Sequence, residues 1–127
     1  MEVNYIEKDE RGNVRFYKDK ACKILHHTDG PAVIQANGTK VWYVNDKLHR
    51  LDGPAIEWAG GVKEWFVNGN RHRLDGPAIE WADGTKTWYV NGEFLTEEEF
   101  LDRTRPVEEL TIAQIEQLLG KRVKIIK

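Results

Sequence analysis

The sequence predicts a mainly β fold: an antiparallel meander of tandem 23-residue β-hairpin repeats with a small C-terminal helical (α/β) cap. Two observations predict it. Sliding the chain by 23 residues aligns "HHTDGPAVIQANGTKVWYVNDKL" (26–48), "HRLDGPAIEWAGGVKEWFVNGNR" (49–71) and "HRLDGPAIEWADGTKTWYVNGEF" (72–94), and a fixed period of this size means stacked supersecondary units. Within each unit, alternating residues flank Asn37-Gly38, Gly60-Gly61 or Asp83-Gly84, dipeptides that suit a two-residue type I′ hairpin turn.

The elements follow in order. "RGNVRFY" around Gly12 reads as a worn half-copy with Phe16-Tyr17 where later units have Trp-Tyr or Trp-Phe, so residues 1–25 form a degenerate N-terminal cap. Repeats 26–48, 49–71 and 72–94 each supply one hairpin. The links such as "VNGNRHRLDGPA" read as loops, with Pro54 and Pro77 at the first strand position, where a missing N–H is tolerated. After Asn91-Gly92 the pattern stops, and residues 95–127 form the cap. Thr96 and Glu99 stand at capping-box spacing and open a short helix to about Arg103. "TRPVEE" reads as a turn. Thr111 and Gln114 open a second helix with Ile112, Ile115, Leu118 and Leu119 on one side and Gly120 as its C-cap, and "RVKIIK" closes as a strand. This tail is expected to cover the open end of the sheet.

A two-residue turn at Gly60-Gly61 sets Ile56 opposite Trp65 and Glu57 opposite Glu64. One face then carries Val33, Ile56 and Ile79 against Trp42, Trp65 and Trp88, the expected core. The other carries the ladder Tyr43, Phe66 and Tyr89 among small and acidic residues.

Composition narrows the function. Hydrophobic residues are 40% and charged residues 31% of 127, an ordinary balance for one domain. No run of about 18 apolar residues appears, and the start "MEVNYIEKDE" lacks a signal-peptide pattern. Cys22 is the single cysteine, which excludes an internal disulfide and fits a reducing compartment. The expected location is cytoplasmic, with no membrane partner. A net charge of −2 argues against coating nucleic acid by bulk electrostatics.

The 23-residue period, one hairpin per unit, and the junction Asn68-Gly69 followed by His72, with turn Gly84 and the aromatics Trp88-Tyr89, resemble MORN-type repeats over roughly residues 10–94. That family has Gly after the His, whereas this chain has Arg50 or Arg73 and then Asp-Gly-Pro-Ala. The resemblance implies a non-catalytic element for protein contacts, dimerisation and sometimes lipid association. The "HRxDGPAIE" units and the tail are also similar to small uncharacterised proteins of large tailed bacteriophages, which implies the host cytoplasm and a host protein as partner.

Two candidate binding surfaces result. The aromatic face offers Tyr43, Phe66 and Tyr89 with Glu57 and Glu80; it serves a protein partner if exposed, and burial beneath the helices is the alternative. The loop edge offers His49, Arg50, Arg71, His72 and Arg73, with His27 and Lys47, for phosphates or an acidic partner. Ion pairing with Asp52, Asp75 and the strand glutamates is the alternative there. Each of His26, His49 and His72 precedes Asp29, Asp52 or Asp75 by three residues. Such a pair can act as a general base, but successive His are about 9–10 Å apart, too far to share a metal ion. A structural role is expected, with each His bonding its own loop and each Asp accepting N–H bonds in its turn. Glu57 with Glu64 has the look of a glycosidase pair but occurs in one unit. With no phosphate loop, nucleophile elbow or clustered metal ligands, no cofactor is expected. The expected function is a non-enzymatic protein-binding module, and the phage resemblance implies an inhibitor or modulator of a host protein. A nucleotide or nucleic-acid binder is the first rival and a His–Asp enzyme the second. A homodimer through the exposed meander is compatible with this reading.

Overall fold

The computed structural model describes residues 4–105 and 111–120. Its strands are β1 (Tyr5–Lys8), β2 (Val14–Tyr17), β3 (Val33–Ile34), β4 (Lys40–Val41), β5 (Tyr43–Val44), β6 (Lys47–Leu48) and β7 (Ile56–Glu57). They continue with β8 (Lys63–Glu64), β9 (Phe66–Val67), β10 (Asn70–Arg71), β11 (Ile79–Glu80), β12 (Lys86–Val90) and β13 (Glu93–Leu95), before helices α1 (Glu97–Thr104) and α2 (Ile112–Leu119). Nine strands form one sheet in the order β1-β2-β3-β4-β7-β8-β11-β12-β13, while β5-β6 and β9-β10 form two small sheets. The paired strands are antiparallel throughout. The fold is mainly β, as expected.

The turns differ from the expectation, and the difference propagates. Trp58 N–H donates to Val62 O and Gly61 N–H to Trp58 O, so the loop at the Gly-Gly pair has three residues, not two. Gly61 has φ +99 and Gly38 +95, whereas Gly60 and Asn37 are outside the left-handed region. This is a type I turn closed by a left-handed residue in a bulge, not a type I′ turn. The type I′ turns stand where loops were expected: Asn45-Asp46, Asn68-Gly69 and Asn91-Gly92 each have positive φ at both residues and connect β5-β6, β9-β10 and β12-β13.

One extra loop residue moves the register by one and exchanges the two faces. Ile56 pairs with Glu64 and Glu57 with Lys63, so Glu57 and Glu64 are not opposite one another. Val33 pairs with Val41, and Val41 with Ile56. The buried cluster is Val33, Val41, Ala55, Ile56 and Phe66, with Leu25, Trp42, Tyr43 and Leu48 packed against it. Tyr43 and Phe66 of the second ladder therefore join the aliphatic face, while half-buried Trp42 touches that cluster and gives a ring face to Arg50. Ala32, Ala55 and Ala78 of the Asp-Gly-Pro-Ala blocks are fully buried, and Ala55 and Ala78 accept the N–H of Trp42 and Trp65.

Both helices start as their sequences dictate. Thr96 and Thr111 make reciprocal capping boxes with Glu99 and Gln114, and Gly120 ends α2 in the left-handed conformation. Helix α1 buries Phe100 and packs on β12 and β13. Ile112, Leu118 and Leu119 of α2 are exposed. The expected strand at 122–127 and most of the expected turn at 104–109 lie outside the described residues.

Candidate functional site: the loop edge

The exchange of faces places a ring on the far side of the sheet in each segment, and each ring is covered by a residue further along the chain. Arg50 lays its guanidinium over Trp42 at 3.8 Å from the ring centroid, and Arg73 does so over Trp65 at 3.9 Å. The same position in the N-terminal segment stacks Phe16 on His27, with centroids 4.1 Å apart and planes within 7°. At the C-terminal end Phe100 of α1 covers Trp88 at 6.4 Å. Three of the covering groups reach a proline carbonyl. Arg50 Nη1 donates to Pro54 O and Arg73 Nη1 to Pro77 O, both at 3.0 Å, and His27 Nδ1 lies 3.1 Å from Pro31 O.

The loop-edge arginines are held by carboxylates. Arg50 Nε donates to Asp52 at 3.0 Å with Glu57 4.0 Å away. Arg73 Nε donates to Asp75 at 2.9 Å, and its Nη1 reaches Glu80 at 3.3 Å. Arg71 makes a forked contact with buried Glu64 at 3.1 and 3.2 Å, and it lies over Phe66 and Tyr89. Trp58 Nε1 donates to the second Glu64 oxygen at 2.6 Å. The glutamates of the proposed aromatic face are thus elsewhere: Glu57 and Glu80 sit on the tryptophan side, beside Arg50 and Arg73. Phe66 is 7% exposed, so the aromatic ladder is core in its middle position and not an open row. Tyr43 is half-buried, and burial pushes its hydroxyl pKa up.

His26, His49 and His72 have a structural role, as expected, but each bonds a turn 19 residues on and not its own loop. Their Nδ1 atoms accept the backbone N–H of Asn45, Asn68 and Asn91, at 2.9, 3.0 and 2.9 Å. Each fastens the first residue of a type I′ turn, a satisfied structural contact. Asp52 and Asp75 accept arginine Nε and not turn N–H groups. No cluster of three His, Cys, Asp or Glu among the described residues is placed to hold a metal ion.

Between the loops lie two grooves of the same make. One is lined by Arg50, Leu51, Asp52 and Gly53 on one wall and His72, Arg73, Leu74 and Asp75 on the other, with Trp65 and Val67 at its floor, and its volume is about 610 Å³. The second has His27, Thr28, Asp29 and Gly30 facing His49, Arg50, Leu51 and Asp52 across Trp42 and Val44, at about 630 Å³. Leu51 and Leu74 stand on the ridges, 80% and 58% exposed. Neither leucine was named from the sequence. Their signal is an aliphatic residue directly before an Asp-Gly turn, where small polar residues are usual.

No helix among the described residues is long and apolar enough to cross a membrane. No family model, curated protein or solved structure matches the chain.

Proposed function

We propose that the chain is a non-enzymatic protein-binding module that engages its partner through the loop edge. The observation that carries this reading is the pair of ridge leucines, Leu51 and Leu74, exposed beside two grooves with tryptophan floors. Apolar side chains held in water at the rim of a concavity are what a partner protein covers. The organisation assigned to the array is a tandem 23-residue unit of the MORN-like kind, and a host protein of a tailed phage is the partner that resemblance suggests.

The electrostatics favour this over phosphate binding. Arg50 and Arg73 are each bonded to an aspartate and lie beside a strand glutamate, so neither guanidinium is free for a phosphate. A polyanion would have to displace those carboxylates before it gained a contact.

The test is capture from host lysate with the parent chain and with Leu51→Asp/Leu74→Asp, followed by binding of the purified partner. Loss of that binding in the double variant is expected, with only a shallow dependence on salt. Binding that survives the double variant, or that falls steeply with salt, overturns the reading.

A further inference from the structure

We infer that the chain pairs with a second copy of itself along β1, as an antiparallel two-fold dimer centred on Ile6; the loop edge takes no part in it. Strand β1 is the outermost strand at one end of the main sheet, and all four of its residues are exposed. Its hydrogen-bonding parity follows from the turn it enters. Asp9 N–H donates to Asn13 O at 3.0 Å, in the same register that sets Glu7 against Arg15 and Tyr5 against Tyr17. The N–H and C=O groups of Tyr5 and Glu7 therefore point at β2, and those of the alternate residues Asn4, Ile6 and Lys8 point away from it. Phe16, opposite Ile6, turns its own N–H the other way, to Ala32 O at 2.7 Å, as this parity requires. No strand among the described residues lies beyond β1, so the outer row is a template for another strand.

The row is complementary to itself. Bonded pairs across the new seam can join only Asn4, Ile6 and Lys8, so the register has few settings. Centred on Ile6, the two isoleucines meet on the axis, Asn4 faces Lys8 of the second copy, and Tyr5 faces Glu7 of the second copy. This setting makes about six backbone hydrogen bonds. One step toward Lys8 would set the two Glu7 side chains opposite each other, which is unfavourable. One step toward Asn4 leaves Lys8 with no described residue opposite it. The side chains agree with the central setting. Ile6 is 64% exposed and pairs with Phe16, the ring stacked on His27, and Ile6 of the second copy extends that apolar row across the seam. Glu7 gives one oxygen to Arg15 at 3.2 Å and keeps the other for the Tyr5 hydroxyl of the second copy. The opposite end of the sheet offers no equivalent row. The two-residue turn at Asn91-Gly92 makes Val90 and Glu93 a bonded pair, so Glu93 and Leu95 face β12 and Phe94 alone faces outward. Helix α1 follows at once, and its Arg103 forks onto Glu93 at 2.9 and 3.0 Å. The pairing therefore closes at two copies and does not run on as a fibre.

The test is sedimentation velocity on the full chain from about 10 μM to about 1 mM, the weak limit of specific binding, with amide hydrogen exchange read by NMR on the same samples. A dimer mass that grows with concentration is expected, and with it an alternation along β1. The Ile6 and Lys8 amides should slow as the dimer forms, while that of Glu7, bonded to β2 in both states, barely changes. Ile6→Pro removes an N–H that β2 does not use, and Ile6→Lys sets two ammonium groups face to face on the axis. Each should weaken association about tenfold or more. If the proline variant also loses protection at Glu7, β1 has left β2 and Ile6→Lys decides. A monomer mass at about 1 mM overturns the proposal, as does a dimer that Ile6→Lys leaves intact. A dimer in which the Ile6 and Lys8 amides exchange as fast as in the monomer overturns it too.

Discussion

Gly53 is the sharpest place to test the arginine–tryptophan stack. A Cβ built there would lie 2.8 Å from Arg50 Cζ and 3.1 Å from Nε and Nη2. The same guanidinium lies 3.8 Å from the Trp42 ring centroid, so admitting the methyl shifts it from its place on the ring. Gly53 is outside the positive-φ set, so Gly53→Ala adds a steric conflict without backbone strain. The loss comprises the cation–π contact, about 0.5–2 kcal/mol, and the bond to Pro54 O, about 1.5 kcal/mol for a charged donor in this partly exposed setting. Against these, the stiffer unfolded chain returns about 0.4–1 kcal/mol. A net loss of about 1–3 kcal/mol is expected, read by urea denaturation or as a melting point lower by about 4 °C per kcal/mol. Gly76→Ala should match it, since Arg73 Cζ is also 2.8 Å away. Gly30→Ala is the control: its Cβ meets His27 at an ordinary 3.6 Å, and it should be neutral or slightly stabilising. In an Arg50→Ala background the Gly53→Ala penalty should disappear. A Gly53→Ala protein as stable as the parent, or a penalty that persists without Arg50, would refute the sandwich.

Phe100→Ala should uncover Trp88 and cost about 3 kcal/mol, seen as loss of exchange protection in α1 and β13 before the rest of the sheet. His72→Ala removes the acceptor of Asn91 N–H at an exposed turn and should cost about 1 kcal/mol; His72→Asn, with a side-chain oxygen, should recover part of it in the same denaturation assay. Asp9 accepts bonds from Asn13 side chain and backbone, Arg11 N–H and Arg15, which lower its pKa from 3.8 to about 2. Because the folded value is the lower one, its contribution is present above about pH 4 and is lost as pH falls toward 2. Hydrogen exchange in β1 and β2 should accelerate over that window, and Asp9→Asn should flatten the dependence.

Local signals in the sequence were dependable where the structure is local. Both capping boxes and the Gly120 cap are written within four residues, and each formed as spelled. The turns failed because Asn-Gly, Gly-Gly and Asp-Gly suit both a type I′ turn and a type I turn with a bulge; only φ at the first residue separates them. That single ambiguity exchanged the faces, so Trp42 and Trp65 were assigned to the core and Glu57 was set against Glu64. The stacks of Arg50 on Trp42 and Arg73 on Trp65 were hidden for another reason. Each arginine stands eight residues after its tryptophan, beyond an intervening turn, and a contact across a turn leaves no trace in the alternation of either strand.

The run of covered rings also sets how this chain can change length. Phe16 is covered by His27, Trp42 by Arg50, Trp65 by Arg73 and Trp88 by Phe100, so each of these rings is closed by a later residue, and for Trp88 that residue lies on α1. A further 23 residues inserted after Phe94 would bring the arginine that Trp88 lacks and hand α1 a new ring to close. Under the proposed tandem organisation, a change of length by whole units would leave both ends as they are.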